Sequence, residues 1–376
     1  MNATPFASTT SPTVRPDTGS PAVSHVFPPL SGQGLRLGLG GAPLGNLFTA
    51  LTDTEAADTV EMALAQGCRS FDTAPHYGNG LSEHRLGHAL RSWLQANPGA
   101  DCMVSSKVGR LLRPSANAPR AQNGYVDVLP FVQQWDYSRA GTRRSVEDSL
   151  QRLGLARLDV AYVHDIDEAC HGERAPQVLK QVLEDTLPTL RELQREGLVG
   201  AVGLGVNDWR VVMAVLRHAD LDALMLAGRY SLLDHSALPA LLPECARRGV
   251  RVALGGVFNS GILATGVRHL NLAAEASLPT FNYAPAAREW LDRTAALEAV
   301  CETFAVPLRA AALQFPLAHE AVEIVMVGAR SQAEWQDCTA MMAFPIPSTF
   351  WSALRDQGLL PADAPLPQGQ GGTPHD

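Results

Sequence analysis

Arg69-Ser-Phe-Asp-Thr-Ala-Pro-His-Tyr-Gly78 decides how this chain is read: it sets Asp72 at the end of a short apolar run and Tyr77 in the turn beyond. Two later runs finish in the same manner. Lys107 closes Cys102-Met-Val-Ser-Ser-Lys107, and His164 closes Leu158-Asp-Val-Ala-Tyr-Val-His164. In a parallel-strand barrel the strand C-termini converge on one face, so these four side chains can meet although they lie far apart in the chain. The grouping suits proton transfer through a phenol of tuned acidity.

Outward from that stretch, short apolar runs alternate with amphipathic ones. The strands are expected at Leu35–Gly40, Cys68–Asp72, Met103–Lys107, Leu158–His164, Ala201–Val206, Ala223–Ala227, Val250–Leu254 and Ile324–Gly328. The helices are expected at Thr54–Gln66, Leu81–Gln95, Thr142–Leu153, Pro176–Glu196, Asp208–Arg217, Ser236–Arg248, Pro285–Phe304 and Gln332–Met342, with Asp53 and Ser331 as caps. Eight strand–helix units predict an α/β fold, one (β/α)8 TIM barrel from residue 35 onward. A doubly wound open sheet is the competitor. It lacks support, because Gly38-Leu-Gly-Gly-Ala-Pro-Leu-Gly45 has Pro43 where a dinucleotide fingerprint needs its last glycine. Two connections are long, 108–139 and 255–284, and long loops in a compact domain are often lids.

The bulk composition narrows the function classes. With 376 residues, 46% hydrophobic and 18% charged, the chain has the make-up of a globular protein with a large core. A net charge of -8 and the lack of any Lys/Arg block argue against nucleic acid as a partner. No apolar run approaches the roughly 18 residues of a membrane span. The six cysteines are scattered without a C-x-x-C pair, which points to a reducing compartment, and the cytoplasm is the expected default location. Residues 1–34, rich in Ser, Thr, Pro and Gly, read as a disordered N-terminal extension. His84 and His88 share a helix face at a metal-binding spacing, but no third ligand accompanies them and they read as surface residues.

Each of the four strand-end residues alone has an ordinary structural reading: Asp72 a turn cap, Tyr77 a loop aromatic, Lys107 a solvated strand end, His164 a satisfied core histidine. Their recurrence at successive strand ends favours chemistry. Phe71-Asp-Thr-Ala-Pro-His-Tyr-Gly78, Ser82-Glu-His-Arg-Leu-Gly87, Ser105-Ser-Lys107, Ser145-Val-Glu-Asp-Ser-Leu-Gln-Arg-Leu-Gly154 and Val327-Gly-Ala-Arg-Ser331 resemble the aldo-keto reductase superfamily, (β/α)8 barrels that use a nicotinamide cofactor. The resemblance makes Asp72, Tyr77, Lys107 and His164 the catalytic set. Tyr77 would exchange the proton, Lys107 favour its phenolate, Asp72 hold that ammonium, and His164 orient the substrate oxygen as a neutral imidazole. It also implies cofactor contacts from Gly40, Gly41, Ala42, Asn207, Asn259, Ser260, Gly328, Arg330, Ser331 and Glu334. Two departures stand out: Gly255-Gly256 replaces an aromatic that many members stack on the nicotinamide, with Phe258 as a substitute, and Ala227 replaces a Gln.

Within the superfamily, Trp135-Asp-Tyr-Ser138, Leu226-Ala-Gly-Arg-Tyr-Ser-Leu-Leu233, Gly255-Gly-Val-Phe-Asn-Ser-Gly-Ile-Leu263 and Phe281-Asn-Tyr-Ala-Pro285 are similar to enzymes oxidising free aldoses at the anomeric carbon. Pyridoxal 4-dehydrogenases and L-galactose dehydrogenases share this likeness. The resemblance implies a small-molecule sugar of D-threo configuration, such as L-fucose, as substrate. Trp135 and Tyr137 would bind it, with Arg113 and Tyr125 nearby on the loop, since aromatic faces with a polar handle suit a sugar ring. A pyridoxal substrate and a non-catalytic, cofactor-sensing subunit are the alternatives. Glu334, where NADP-using relatives carry Arg, favours NAD, with Arg330 keeping NADP as the second cofactor; the competing reading has Glu334 merely favouring a helix N-terminus. The oligomeric state is left open.

Overall fold

In the computed structural model, which describes residues 36–268 and 279–368, eight parallel strands close into a barrel. They are β1 (Leu37–Gly40), β2 (Ser70–Asp72), β3 (Met103–Val108), β4 (Leu158–His164), β5 (Val199–Val206), β6 (Ala223–Ala227), β7 (Arg251–Gly255) and β8 (Val322–Gly328). Each pairs with its sequence neighbours, and β8 closes on β1 with Gly40 opposite Gly328. The expected N-terminal extension, 1–34, lies outside the described residues. Of the six cysteines none is in a disulfide.

Two apolar regions hold the barrel together. The inside is filled by Met103, Val160, Tyr162, Ala201, Ala223, Met225, Ala253, Ile324 and Met326. The alternate strand residues, such as Val104, Leu204, Leu254 and Val325, join the larger core beneath the helices. Because both strand faces are buried, the strands read as nearly continuous apolar runs, which is why they are easy to find in the sequence. Gly38 is small because a Cβ there would come within 2.3 Å of the Met326 sulfur.

The surrounding helices are α1 (Asp53–Ala65), α2 (Leu81–Ala96), α3 (Arg139–Leu153), α4 (Leu187–Arg195), α5 (Trp209–Leu216), α6 (Leu241–Arg248), α7 (Arg288–Thr303), α8 (Leu308–Gln314), α9 (Gln332–Ala343) and α10 (Ser348–Asp356). Ser331 caps α9 as expected, whereas α1 is capped by Thr52, in a capping box with Glu55, rather than by Asp53. The expected helix Pro176–Glu196 is interrupted by a π turn at Val182–Thr186. Pro188, in the first turn of α4, has no N–H to return to Glu184, and the wider turn absorbs the missing bond. The expected start of α6 at Ser236 moves to Leu241, which keeps Pro243 inside the first turn, where its missing N–H costs nothing. Pro285 belongs to a short antiparallel ladder (Thr280–Phe281 with Ala284–Pro285) rather than to α7. Helices α8 and α10 were not expected; α10 seals the core with Phe350, Trp351 and Leu354.

The first long connection is ordered. Arg110–Pro114 and Phe131–Trp135 form an antiparallel hairpin, with Arg110 opposite Trp135. Its tip is tied to the loop after β1, where Phe48 N donates to Gly124 O at 2.9 Å and Val126 N to Asn46 O at 3.1 Å. This arm forms a fixed wall over the strand ends.

Candidate active site at the carboxyl ends of the strands

The loops after β1 and β2 meet backbone to backbone. A Cβ on Gly45 would lie 2.5 Å from the Tyr77 carbonyl carbon, and Gly78, at φ +66°, faces the Gly45 backbone in return. The motif beginning at Ser82 braces this junction from α2. Ser82 Oγ donates to Gly41 O (2.7 Å) and pairs with Thr73 Oγ1 (2.8 Å). Arg85 donates to Leu44 O, Asn46 Oδ1, Leu51 O and the Asp53 carboxylate. Buried Glu83 accepts from Ser106 Oγ, beside Lys107, and from Arg152 on α3. The motif therefore holds the loops that carry the chemistry and leaves the chemistry to others.

Asp72, Tyr77, Lys107 and His164 come together as expected. Lys107 Nζ donates to Asp72 Oδ2 at 2.5 Å and to Thr73 O at 2.9 Å, while Ser105 Oγ donates to Asp72 Oδ1 at 2.7 Å. Both members of the ion pair are buried. The Lys107 ammonium stands 4.6 Å from the centre of the Tyr77 ring, a cation–π distance. The rings of Tyr77 and His164 meet edge to face at 6.2 Å, and Tyr125 stacks on Tyr77 at 6.0 Å. Tyr77 itself is half-buried, and its hydroxyl has no hydrogen-bond partner among the described residues.

The electrostatics sort these groups. Burial, then the charges of Arg110, Lys107 and His76, hold the His164 imidazole well below its ordinary pKa, so it is neutral at physiological pH. Its neighbour His76 is pushed down to about 3, again by burial first and Arg110 second. The phenol of Tyr77 is raised well above 10, by burial and then by Asp72. This differs from the expected pull toward phenolate. The larger cause is burial of the phenol, and Asp72, in contact with the Lys107 ammonium, adds to it.

Several participants were missed in the sequence. Arg110 Nη2 donates to Asp165 Oδ2 at 2.8 Å and its guanidinium lies 4.0 Å over the Trp135 ring. Asp165 Oδ2 is also 3.4 Å from His164 Nε2, close enough to favour the tautomer with the proton on that nitrogen. His76 is oriented by Gln133, whose Oε1 is 2.9 Å from Nδ1. Asp165 directly follows His164 and Arg110 stands just past β3, so charge beside a strand end was the available signal.

The candidate binding residues divide. Trp135 lines the hairpin wall, half-buried. Tyr137 needs correction: it is 2% exposed, and its hydroxyl donates to His164 O at 2.7 Å, so it supports the β4 end from behind and does not face a substrate. Of the other two loop candidates, Arg113 is exposed and Tyr125 lies against Tyr77. Asn259 is also corrected. Its buried side chain accepts from Ser231 Oγ (2.6 Å) and donates to Gly228 O (3.2 Å), so it braces two loops. Ser260 Oγ accepts from Tyr283 N, and half-buried Phe258 packs against the main core. Arg330 and Glu334 form a closed pair: Glu334 accepts from the Arg330 backbone N (2.8 Å) and from its guanidinium (2.7 Å). Burial would raise the Glu334 carboxyl, but those hydrogen bonds outweigh it and hold it below its ordinary value. Ser331 Oγ accepts from Glu334 N at the start of α9.

One side of the mouth is floored by backbone. Ala227 stands opposite Gly255, and Gly328 opposite Gly40, with Gly41 and Ala42 next in the chain. A Cβ on Gly255 would make only ordinary contacts, 3.9 Å from Ala227 Cβ and the Met225 sulfur. Exposed Asn207 at the end of β5 and Arg330 at the start of α9 flank this floor. Small residues there leave room for a flat ring, with the Asn207 amide on one side and the Arg330 guanidinium, paired with Glu334, on the other, residues that would hold a dinucleotide. Among the described residues no His/Cys/Asp/Glu cluster suits a metal ion.

Residues 36–357 match the model of the Aldo/keto reductase family. The chain is 39% identical to a pyridoxal 4-dehydrogenase from Microbacterium luteolum, across 86% of this chain and 94% of that one. It is 37% identical to a D-threo-aldose 1-dehydrogenase from a Pseudomonas species, across 90% and 99%. Among solved structures, an aldo-keto reductase from Bacillus halodurans in its holo form superposes with a TM-score of 0.64 at 23% identity, covering 88% of this chain and 93% of that one, a likeness of fold.

Proposed function

The chain belongs to the aldo/keto reductase family of oxidoreductases, and from that premise we propose that it oxidises the anomeric hydroxyl of a free aldose of D-threo configuration, such as L-fucose, to the lactone. The observation that carries the reading is the meeting at one mouth of a Tyr77 hydroxyl unengaged among the described residues, the buried Lys107–Asp72 pair and a neutral His164. A nicotinamide dinucleotide held along the backbone floor, between Asn207 and Arg330, would supply the hydride acceptor. The protein's own part is the proton and the geometry. His164, neutral, donates Nε2–H to the reacting oxygen and fixes it beside Tyr77. In the oxidative direction the base is the Tyr77 phenolate, whose oxygen takes the hydroxyl proton as hydride leaves the carbon; Lys107, at a cation–π distance, favours the phenolate that must form first. Run in reverse, the same group, protonated in the resting site, gives its proton to a carbonyl.

A pyridoxal substrate is the second reading, favoured by the near-equal identities to the two relatives and by the flat aromatic face of Tyr77 and Tyr125. Both substrates close into cyclic hemiacetals, so one site chemistry serves either. A spectrophotometric screen of aldoses and pyridoxal with each nicotinamide cofactor decides: turnover of pyridoxal and of no aldose transfers the assignment.

NAD is the expected better cofactor, with NADP second. Glu334 occupies the guanidinium that would otherwise meet a 2′-phosphate, and its own charge repels one. Glu334→Arg frees Arg330 and adds a second cation, so the kcat/KM ratio should move toward NADP by about ten- to a hundredfold. An unchanged ratio would show that Glu334 serves only the helix end.

A further inference from the structure

Asp165 sits in an unusual backbone state beside the site. It is a non-glycine residue at φ +48°, a conformation that persists only where its surroundings impose it. Here they do. Its N–H donates to Gly205 O at 3.0 Å, and its carbonyl lies 3.0 Å from the Tyr137 hydroxyl and 2.8 Å from His171 Nε2. Those buried groups brace one residue, and the outcome is a carboxylate delivered between Arg110 and His164.

The pair that results is only partly satisfied. Asp165 Oδ2 accepts one bond from Arg110 Nη2, and no protein donor reaches Oδ1 among the described residues. The Asp165 side chain keeps 15% of its surface open. Arg110 Nη1, buried, likewise finds no acceptor there. Buried ion pairs with spare capacity are costly to maintain, and such groups concentrate where a ligand completes them.

We propose that Asp165, held by Arg110, is a substrate-binding residue that accepts a hydrogen bond from the hydroxyl on the carbon next to the reacting one, and so selects cyclic substrates bearing a vicinal diol. The proposal rests on the aldose reading above. The distances support it. The reacting oxygen is to bond His164 Nε2, which stands 3.4 Å from Asp165 Oδ2, so the carboxylate adjoins that nitrogen and its uncommitted Oδ1 is the acceptor left for the neighbouring hydroxyl of a gauche diol. The carboxylate takes the second hydroxyl as an acceptor, which neutral His164 cannot do with the same nitrogen.

The test compares an aldose substrate with its 2-deoxy counterpart in three proteins: wild type, Asp165→Asn and Asp165→Gly. Asn keeps the side-chain shape and tolerates the left-handed backbone; Gly removes the side chain and suits that backbone better still. Any intrinsic reactivity difference between the two sugars cancels when their kcat/KM ratios are compared across proteins. Wild type should prefer the hydroxylated sugar by about ten- to a hundredfold, the worth of one hydrogen bond to a charged group. The preference should shrink severalfold in Asp165→Asn and approach unity in Asp165→Gly. If kcat/KM falls equally on both sugars, leaving the ratio at its wild-type value, Asp165 is a structural ion-pair partner and the proposal is wrong. Should Asp165→Gly fail to fold, the ratio in Asp165→Asn decides alone. Wild type that oxidises no aldose at all overturns the functional reading and this subsite with it, an outcome distinct from an active enzyme whose ratio does not move.

Discussion

Tyr77→Phe is expected to lose about two to four powers of ten in kcat, the usual worth of a positioned acid/base group, while binding cofactor nearly as well as wild type. The substitution removes one atom. That hydroxyl has no protein partner among the described residues, so its loss leaves no buried group unsatisfied and the ring keeps its stack on Tyr125 and its place under Lys107. Stability should therefore hold. Steady-state kinetics, cofactor titration by fluorescence and thermal unfolding on the same sample separate the effects. Turnover near wild type would sink the proposed mechanism, and a large fall in melting temperature would show that the hydroxyl has a structural role unseen here.

Lys107→Met should behave in the opposite way, damaging the fold as well as the chemistry. The ammonium is the partner of a carboxylate that is 3% exposed, and Ser105 alone would remain to satisfy Asp72. Breaking one side of a buried pair costs about 3–5 kcal/mol, because the survivor is left charged and dry. The double variant Asp72→Asn/Lys107→Met removes both charges. It should regain much of that stability and none of the activity, since no cation is then left to steady a phenolate. Chemical unfolding of the three proteins checks the first statement and kcat the second. A single variant as stable as wild type, or a double variant with wild-type turnover, contradicts the assignment.

These expectations differ because of where each group stands, which is information of two kinds. Periodicity and apolar runs made all eight strands legible, since a parallel strand covered on both faces must be apolar nearly throughout. Helix ends were less legible. Where Pro188 and Pro243 fall, the interruption or the start of a helix depends on how the chain recovers a missing N–H, which packing settles. The hairpin Arg110–Pro114/Phe131–Trp135 escaped notice because a short arm half in solvent carries little hydrophobic pattern.

By itself the sequence determined the barrel and the convergence of Asp72, Tyr77, Lys107 and His164, because position at a strand end is a local property and the closed parallel fold brings all such ends to one face. Only the tertiary structure decided which neighbours these residues have. It put the Tyr137 hydroxyl behind His164 instead of against a substrate, spent Asn259 on two loops, closed Glu334 onto Arg330, and let burial and Asp72 raise the phenol that the ammonium was to acidify. It also brought Arg110 to Asp165 across 55 residues of chain. Hydrogen bonds and electric fields act over a few ångströms in space, and that proximity is written in the packing of loops against one another, not in the spacing of letters along the chain.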